Sequence, residues 1–382
     1  MIVLNGRVVP HNLSGTLPAN VWRVTDSVEV EPRFPAARLL EPTELATPRQ
    51  LSLRPGDVSD GPIPTVVLDL PSSLDHLSAG DLVAVSPDAT RLTVLWKVSA
   101  QHNSLLLTEQ CDNYCIMCSQ PPKVRDDAWL YERAMRIVDL LPSATPEVGL
   151  TGGEPTLNQD ALLRLLSRLR VVLPDTEVHL LSNGRAFAKP EFVQRYAAVD
   201  HPGLMVGIPL YAPESSLHDF VVQAVGAFDE TIRGILNLAS LRQRVELRVV
   251  IQRHNVAILA SLAEFVARNL PFVEQVSLMG LEMTGFARSN YDDVWIDPAD
   301  YQRELREATQ ILADSRVFVR IYNHQLCVLD RALWPFAVRS ISDWKASYLE
   351  PCQSCAVIAQ CGGVFTTSGG RVSKHLHALS MD

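Results

Sequence analysis

The chain has 382 residues, of which 47% are hydrophobic and 20% charged, and its net charge is −9. This length and composition are typical of a globular enzyme with two or three domains and a large buried core. The acidic balance and the lack of a Lys/Arg run argue against nucleic-acid binding, and no apolar stretch reaches the roughly 18 residues that span a bilayer. The opening residues, MIVLNGRVVPHNLSG, lack the features of a secretion signal, so we expect a cytoplasmic protein without membrane contact.

Residues 1–100 are predicted to form a β-rich accessory domain of short strands separated by turns rich in Pro, Gly and Ser. The clearest element is AGDLVAVSPDATRLTVLWKV, in which two runs of Val, Leu and Thr flank the turn SPDAT. This pattern predicts a hairpin. No catalytic constellation is visible in this part of the sequence.

From residue 104 onward, short apolar runs alternate with helical periodicity. Six strand–helix units in succession indicate a parallel sheet with helices outside it. Six units are fewer than the eight of a closed (β/α)8 barrel, so an open partial barrel is expected. The predicted strands are 105–108, 147–152, 177–182, 204–210, 245–252 and 274–282.

Three unusual segments follow the first three predicted strands. CDNYCIMC begins at residue 111, TGGEP at 151 and SNG at 182. Because sites in parallel βα architectures collect where the strands end, all three segments are expected on one rim.

The seven cysteines fall into two sets, and clustered cysteines in a cytosolic protein hold metals more often than disulfides. In the first set, the thiols of Cys111, Cys115 and Cys118 can ligate three corners of a [4Fe–4S] cube and leave the fourth iron without a protein ligand. Plain packing of buried thiols is one alternative. Zinc is another, but it requires a fourth ligand, and His102 lies before the first strand.

The second set supplies four thiols, which complete a site for either Zn²⁺ or a second [4Fe–4S] cluster. Spacing alone does not separate these two metals. His375 and His377, further along the chain, are not expected to be ligands. The four thiols belong to Cys327, Cys352, Cys355 and Cys361.

The thiol triad after a first strand resembles the radical SAM superfamily. The resemblance implies that the open iron binds the amino and carboxylate groups of S-adenosylmethionine, and that one electron cleaves a carbon–sulfur bond to give a 5′-deoxyadenosyl radical. Met117 stands where the superfamily commonly has an aromatic residue, and its thioether is expected to pack against adenine.

Further segments of the sequence would serve the same cofactor under this resemblance. Gly152 and Gly153 let backbone approach a ligand, and Glu154 can accept hydrogen bonds from the methionyl amine. Ser182 and Asn183 offer groups for ribose or carboxylate oxygens, with a turn or capping role as the alternative. Arg248, on the fifth strand, could bind the methionyl carboxylate or form an ordinary salt bridge.

Longer strings narrow the resemblance, over roughly residues 80–375, to the His-Xaa-Ser system radical SAM maturase of the HxsC type. They are HNSLLLTEQCDNYCIMCSQPPK, LMGLEMTGFARSN, IYNHQLCVLDRALWPFAVRSISDWK and CQSCAVIAQCGG. The last two resemble a SPASM- or twitch-type domain, which implies an auxiliary [4Fe–4S] cluster on the second cysteine set. The implied partners are a precursor peptide with His-Xaa-Ser repeats, a second radical SAM maturase, and a ferredoxin or flavodoxin reductant.

The expected fold is therefore α/β: a β-rich domain (1–100), a partial (β/α)6 radical SAM barrel (101–315) and a small iron–sulfur domain (316–382). The expected activity is hydrogen abstraction from a ribosomally made peptide, giving a crosslink or an oxidised residue. The alternatives are a radical SAM enzyme for another protein or small molecule, and a non-enzymatic zinc-stapled scaffold for a partner maturase.

Overall fold

The computed structural model describes residues 5–11, 17, 21–26, 35–40, 49–54, 66–342 and 345–380. It divides into two compact units. The first consists of Met1–Leu105 with Glu132–Ser143, and the second of Leu106–Tyr131 with Ala144–Asp382. Each unit is described separately below.

The first unit contains an eight-stranded sheet in the order β1-β8-β7-β3-β4-β5-β6-β2. All its printed pairings are antiparallel except β3 with β4. Its core is built from inward-facing aliphatic side chains around the fully buried Trp22. The strands are β1 (Asn5–Arg7), β2 (Val9–His11), β3 (Val21–Thr25), β4 (Ala36–Leu40), β5 (Gln50–Arg54), β6 (Val66–Asp69), β7 (Leu82–Val85) and β8 (Arg91–Trp96).

The hairpin predicted around SPDAT is confirmed as β7 and β8, which pair from Leu82 with Trp96 to Val85 with Leu92. The turn is closed by side chains as well as backbone. The Ser86 hydroxyl accepts hydrogen bonds from the backbone N–H groups of Thr90 and Arg91. Short polar side chains that satisfy turn amides are the physical basis of such turn sequences.

The second unit is organised around a sheet in which strand order follows chain order, from β9 to β16. Every printed pairing from β10 to β16 is parallel. Among the described residues β9 and β16 are the two ends of this order, and its curvature into a partial barrel stays a prediction. The strands are β9 (Ser104–Leu106), β10 (Glu147–Thr151), β11 (Glu177–Leu181), β12 (Leu204–Pro209), β13 (Arg244–Val250), β14 (Gln275–Met279), β15 (Val319–Tyr322) and β16 (Ala337–Val338).

The six predicted strands correspond to β9–β14, so the mixed α/β fold with a parallel sheet is confirmed. The strands predicted from the sequence ended at β14, whereas the sheet continues through β15 and β16. Helices occupy the connections, and buried aliphatic positions along each helix face its neighbours. In the second unit they are α2 (Gln159–Val172), α3 (Pro190–Ala197), α4 (Ser215–Val222), α5 (Ala227–Ser240), α6 (Leu259–Asn269), α7 (Gly285–Ser289), α8 (Tyr291–Val294) and α9 (Gln302–Asp314), whereas most of α1 (Trp129–Leu140) belongs to the first unit.

After β16 the chain forms short 3-10 turns and a small antiparallel pair, β17 (Ala346–Ser347) with β18 (Val364–Phe365). Gly363, which precedes β18, has a φ of +72°, and a Cβ there would lie 2.5 Å from the carbonyl oxygen of Ser347. Glycine is therefore required at this position. None of the described helices is both long and apolar enough to cross a membrane.

Candidate active site

The thiol loop, residues 111–118, follows β9 and is held by backbone hydrogen bonds from two directions. The N–H groups of Tyr114 and Ile116 donate to the carbonyls at the end of α4, at 3.0 Å each. At the other end of the loop, the Cys118 carbonyl accepts from Phe286 N at 2.8 Å. The loop therefore has a defined position at the carboxyl edge of the sheet.

The hydrogen bond from Phe286 N to the Cys118 carbonyl depends on a glycine at position 285. Its φ is +55°, and a Cβ at this position would lie 2.5 Å from the carbonyl oxygen of Cys118. A side chain at residue 285 would push α7 away from the end of the thiol loop.

The three thiols of the loop are half-buried and electrostatically coupled. Burial raises the pKa of Cys111 to about 12, although a hydrogen bond from Asn113 opposes the rise. Burial and the charges of the other two thiolates also raise the pKa of Cys115. Thiols in this setting stay protonated until a cationic metal centre binds them, and coordination removes their protons. The donor set therefore fits a metal-cluster site better than a reactive nucleophile.

The geometry is not that of a site for a single ion. Across the part of the chain that the structure describes, no group of three or more His, Cys, Asp or Glu side chains is arranged to hold one metal ion.

Glu154 follows β10 and is the best-anchored polar side chain of the site. It is 1% exposed, and Asn183 N donates to its Oε2 at 2.6 Å. Its Oε1 accepts from Ser182 Oγ at 2.8 Å and from the backbone N–H and hydroxyl of Thr156 at 2.9 and 2.6 Å. Burial raises the pKa of Glu154, and these hydrogen bonds oppose the rise. The carboxylate therefore joins the turn after β10 to the turn after β11.

Gly152 and Gly153 bring the β10 turn against the segment that leads into the thiol loop. Gly153 N donates to the Thr108 carbonyl at 2.9 Å, and Glu154 N donates to the Gln110 carbonyl at 2.7 Å. A Cβ on Gly152 would lie 2.5 Å from the Thr108 carbonyl oxygen, and one on Gly153 would collide with the carbonyl of Gln110. In this structure the space above both glycines is therefore filled by backbone of the neighbouring segment.

Asn183 also reaches the thiol loop directly, through a partner that sequence analysis missed. Its Nδ2 donates to Asp112 Oδ1 at 2.7 Å. Arg185 adds a second connection, since it donates to the Asp112 carbonyl at 3.0 Å and to Asn113 Oδ1 at 2.7 Å. The Nε of Arg185 donates to Glu230 Oε2 at 2.6 Å. The only signal in the sequence was the position of these residues inside or beside the segments already singled out.

Asp127 was also missed, and nothing in the sequence pointed to it. This carboxylate is 3% exposed. It accepts hydrogen bonds from Glu109 N at 2.6 Å, from the Thr108 hydroxyl at 3.0 Å and from Gln110 Nε2 at 3.2 Å. Asp127 thus fixes the three residues that immediately precede Cys111.

Met117 lies on the apolar side of the thiol loop. It is 5% exposed and belongs to a buried cluster with Ile116, Tyr211, Met283 and further aliphatic residues. Its predicted contact with adenine stays a prediction.

Arg248 is held by a buried carboxylate on its own strand. Its guanidinium group lies 3.1 Å from Glu246 Oε2, and His179 Nε2 lies 2.7 Å from the same oxygen. Ser277 donates to the other oxygen. Burial alone would raise the pKa of Glu246, but the charge of Arg248 and the contact with His179 outweigh it and lower the pKa to about 2. The salt bridge considered for Arg248 is therefore present, and its binding to a substrate carboxylate stays a prediction.

The second cysteine set lines one small cavity. All four thiols border it, together with Gln325, Tyr348, Leu376 and His377. Burial raises the pKa of Cys327, and the charges of the Cys361 and Cys352 thiolates raise it further. Four thiols are the number of protein ligands that a fully ligated [4Fe–4S] cluster takes, so the lining of this cavity fits such a cluster in number and kind.

Part of this chain matches the model of a known protein family. Residues 105–266 match the model described as the Radical SAM superfamily. This range contains the thiol triad and both turns joined by Glu154. No curated protein matches the chain.

Several solved structures resemble the chain. Streptococcus suis SuiB is 17% identical over 58% of this chain and 49% of its own, with a TM-score of 0.46. A radical SAM methyltransferase from Sphaerobacter thermophilus is 16% identical over 65% of this chain and 75% of its own, with a TM-score of 0.46. Native anSMEcpe with bound AdoMet is 14% identical over 57% of this chain and 63% of its own, with a TM-score of 0.45. The chain thus spans about half the length of SuiB.

Proposed function

We propose, from the premise that residues 105–266 are a radical SAM superfamily domain, that this enzyme cleaves S-adenosylmethionine reductively to modify a peptide. One observation carries the proposal. Hydrogen bonds join the thiol loop after β9, the Gly-Gly-Glu turn after β10 and the Ser-Asn turn after β11 into a single site. Three separate strand ends thus present three thiols and a buried carboxylate together.

The thiols of Cys111, Cys115 and Cys118 would hold a [4Fe–4S] cluster whose fourth iron is open to S-adenosylmethionine. When bound, this cluster supplies the electron that breaks the carbon–sulfur bond and yields the 5′-deoxyadenosyl radical. The protein's part is to fix the ligand loop, because Asp127 anchors its start and Phe286 N anchors its end. A cluster held by only three ligands benefits from such preorganisation.

Residues beside the thiol loop would orient the methionyl and ribose groups. Glu154 would accept hydrogen bonds from the ammonium group, and Ser182 and Asn183, which it positions, would bind ribose or carboxylate oxygens. Arg248 would bind the methionyl carboxylate with the guanidinium nitrogens that do not contact Glu246. Met117 would border adenine.

The second cysteine set would hold an auxiliary [4Fe–4S] cluster in a small iron–sulfur domain of the twitch type. Its support is the shared cavity lined by Cys327, Cys352, Cys355 and Cys361. A cluster ligated by four thiolates has no open iron, so it is suited to electron transfer or to shaping the pocket.

The proposed substrate is a precursor peptide with His-Xaa-Ser repeats, from which the 5′-deoxyadenosyl radical would abstract one hydrogen atom. A crosslink or an oxidised residue would result once the peptide radical has also lost a proton to solvent and an electron, for which the auxiliary cluster would be the acceptor. This step rests on the resemblance of the longer sequence strings to the HxsC-type maturases. A ferredoxin or flavodoxin would supply the electron, and a second radical SAM maturase would be a partner.

The test is anaerobic reconstitution with iron and sulfide, followed by incubation with dithionite, S-adenosylmethionine and a peptide with His-Xaa-Ser repeats. Mass spectrometry should find 5′-deoxyadenosine and a peptide that has lost two hydrogens. A peptide with alanine in place of each repeat His and Ser serves as the substrate control. Unmodified repeats together with abundant 5′-deoxyadenosine would refute the peptide assignment alone.

Metal analysis tests the cofactor assignment separately. Two cubane clusters require about eight irons per chain, and Cys115→Ala should reduce this to about four and abolish cleavage of S-adenosylmethionine. Ser119→Ala, an exposed neighbour in the chain, is the matched control and should keep both. Bound zinc without iron would overturn the enzyme assignment in favour of a stapled scaffold.

A further inference from the structure

One segment near the second cysteine cavity has no role in the function proposed above. Residues 374–380, here called the strap, run along this cavity, and Leu376 and His377 form part of its lining. The strap is fixed where it begins, because Lys374 N donates to Asp297 Oδ2 at 3.1 Å. The strap therefore has a defined path to the thiols.

The strap contacts the thiols through its backbone. Leu379 N donates a hydrogen bond to Cys355 Sγ at 3.4 Å, and the Leu379 carbonyl accepts from Ala356 N at 2.9 Å. Both backbone groups of Leu379, the N–H and the carbonyl, are thus hydrogen-bonded to the segment formed by Cys355 and Ala356. A backbone N–H group forms a stronger hydrogen bond with a charged thiolate than with a neutral thiol. The contact from Leu379 therefore favours the thiolate form of Cys355, which is the form that binds a metal.

A second strap residue, His377, borders the same cavity as the Cys327 thiol. The imidazole Nδ1 of His377 lies 2.8 Å from the His375 carbonyl oxygen, so the ring is bonded within the strap. The strap therefore donates a backbone hydrogen bond to the Cys355 thiol and lines the cavity that the other thiols border.

Backbone N–H donors to cluster sulfurs stabilise the reduced, more negative state, and solvent exclusion is the other main influence on the potential of an iron–sulfur centre. We propose that the strap is a potential-setting element of the second metal site, which raises its reduction potential through the N–H group of Leu379 and shields the Cys355 thiolate from solvent. This inference rests on the proposed auxiliary cluster. It adds one positioning residue that no ligand motif reveals, since Leu379 acts through its backbone.

The test uses the full chain with Cys111, Cys115 and Cys118 replaced by Ala, so that all bound iron belongs to the second site. In this background Leu379→Pro removes the N–H donor, whereas Leu379→Ala keeps it and removes only the side chain. Ala378→Pro controls for proline itself, because within the described residues the Ala378 N–H donates no backbone hydrogen bond.

An EPR-monitored redox titration is the first measurement. Leu379→Pro should shift the midpoint potential to more negative values, and Leu379→Ala and Ala378→Pro should leave it near that of the parent chain. About four irons per chain with one common potential in all three variants would overturn the inference while leaving the auxiliary cluster intact. A parent chain without iron would overturn both, so the two failures are distinguishable.

A second measurement needs no cluster. In the metal-free protein, mass spectrometry follows alkylation of Cys355 relative to Cys352, which is similarly half-buried and lies in the same turn. Loss of one hydrogen bond in Leu379→Pro should raise this ratio about fivefold, whereas Ala378→Pro should not. Equal ratios in both variants would show that the strap does not shield Cys355, even if the chain binds no iron.

Discussion

The hydroxyl of Ser182 donates a 2.8 Å hydrogen bond to the carboxylate of Glu154, from a position 28 residues further along the chain. This contact joins the carboxyl ends of two neighbouring parallel strands. Because Asn183, beside Ser182, also donates to Asp112 in the thiol loop, the Glu154 carboxylate and the thiol loop belong to one hydrogen-bond network.

The first prediction concerns the charge of Glu154. Glu154→Gln should lower the free energy of unfolding by about 1–3 kcal/mol, because the new amide N–H₂ would face donors that now bind a carboxylate oxygen. Denaturant unfolding of the metal-free protein measures this change. Ser182→Ala should cost only about 1 kcal/mol, since it removes one donor. Equal stability of the parent and Glu154→Gln would contradict the role given to the network.

The second prediction concerns the close approach of Gly153. Gly153→Ala places a methyl group against the Gln110 carbonyl, so the start of the thiol loop must shift, at a cost of about 1–3 kcal/mol. We expect less iron at the first site after reconstitution, measured in a chain in which Cys355→Ala has removed the second site. Gly362→Ala is a suitable control for stability, because its new methyl group would meet no atom closer than 3.8 Å. A variant that is stable and binds iron normally would disprove the steric argument.

The third prediction concerns Arg185, which donates hydrogen bonds to the thiol loop. Arg185→Ala removes hydrogen bonds to Asp112 and Asn113, so a chelator should extract iron from the first site several-fold faster. The absorbance loss of the reconstituted protein under chelator follows this rate. Arg195→Ala breaks an exposed pair with Asp160 and should change nothing, as expected for surface salt bridges. Identical rates for the two variants would rule out a role of Arg185 in loop retention.

The fourth prediction is a pH dependence from Glu246. Its pKa falls from 4.5 to about 2 in the folded protein, so its ionised form stabilises the fold above pH 4.5. This stabilisation, about 3 kcal/mol, should disappear as the pH falls from 4.5 towards 2. Unfolding free energies of the parent and Glu246→Gln, measured across this range, should therefore converge as the pH falls. Two parallel curves would show that Glu246 is not held ionised by Arg248 and His179.

The sequence predicted elements well where the physical signal is local. Val- and Leu-rich runs placed β9–β14 within a few residues of their observed bounds, and the predicted alternation of strands with helices matches the helices found between them. β15 and β16, of four and two residues, were missed because the predicted series of strand–helix units ended at β14. Sheet membership of such short segments is decided by the neighbouring strand with which they pair.

The cysteine spacing and the Gly-Gly-Glu turn were likewise visible in the sequence, because ligand spacing and backbone freedom are properties of adjacent residues. Asp112, Asp127 and Arg185 were not, since each acts on residues that only chain folding brings within reach. The same holds for Leu379, whose backbone N–H meets a thiol 24 positions away. The sequence by itself therefore determined which side chains are capable of this chemistry. Tertiary structure alone decided which groups hold them in place, because hydrogen bonds between distant segments depend on distance in space.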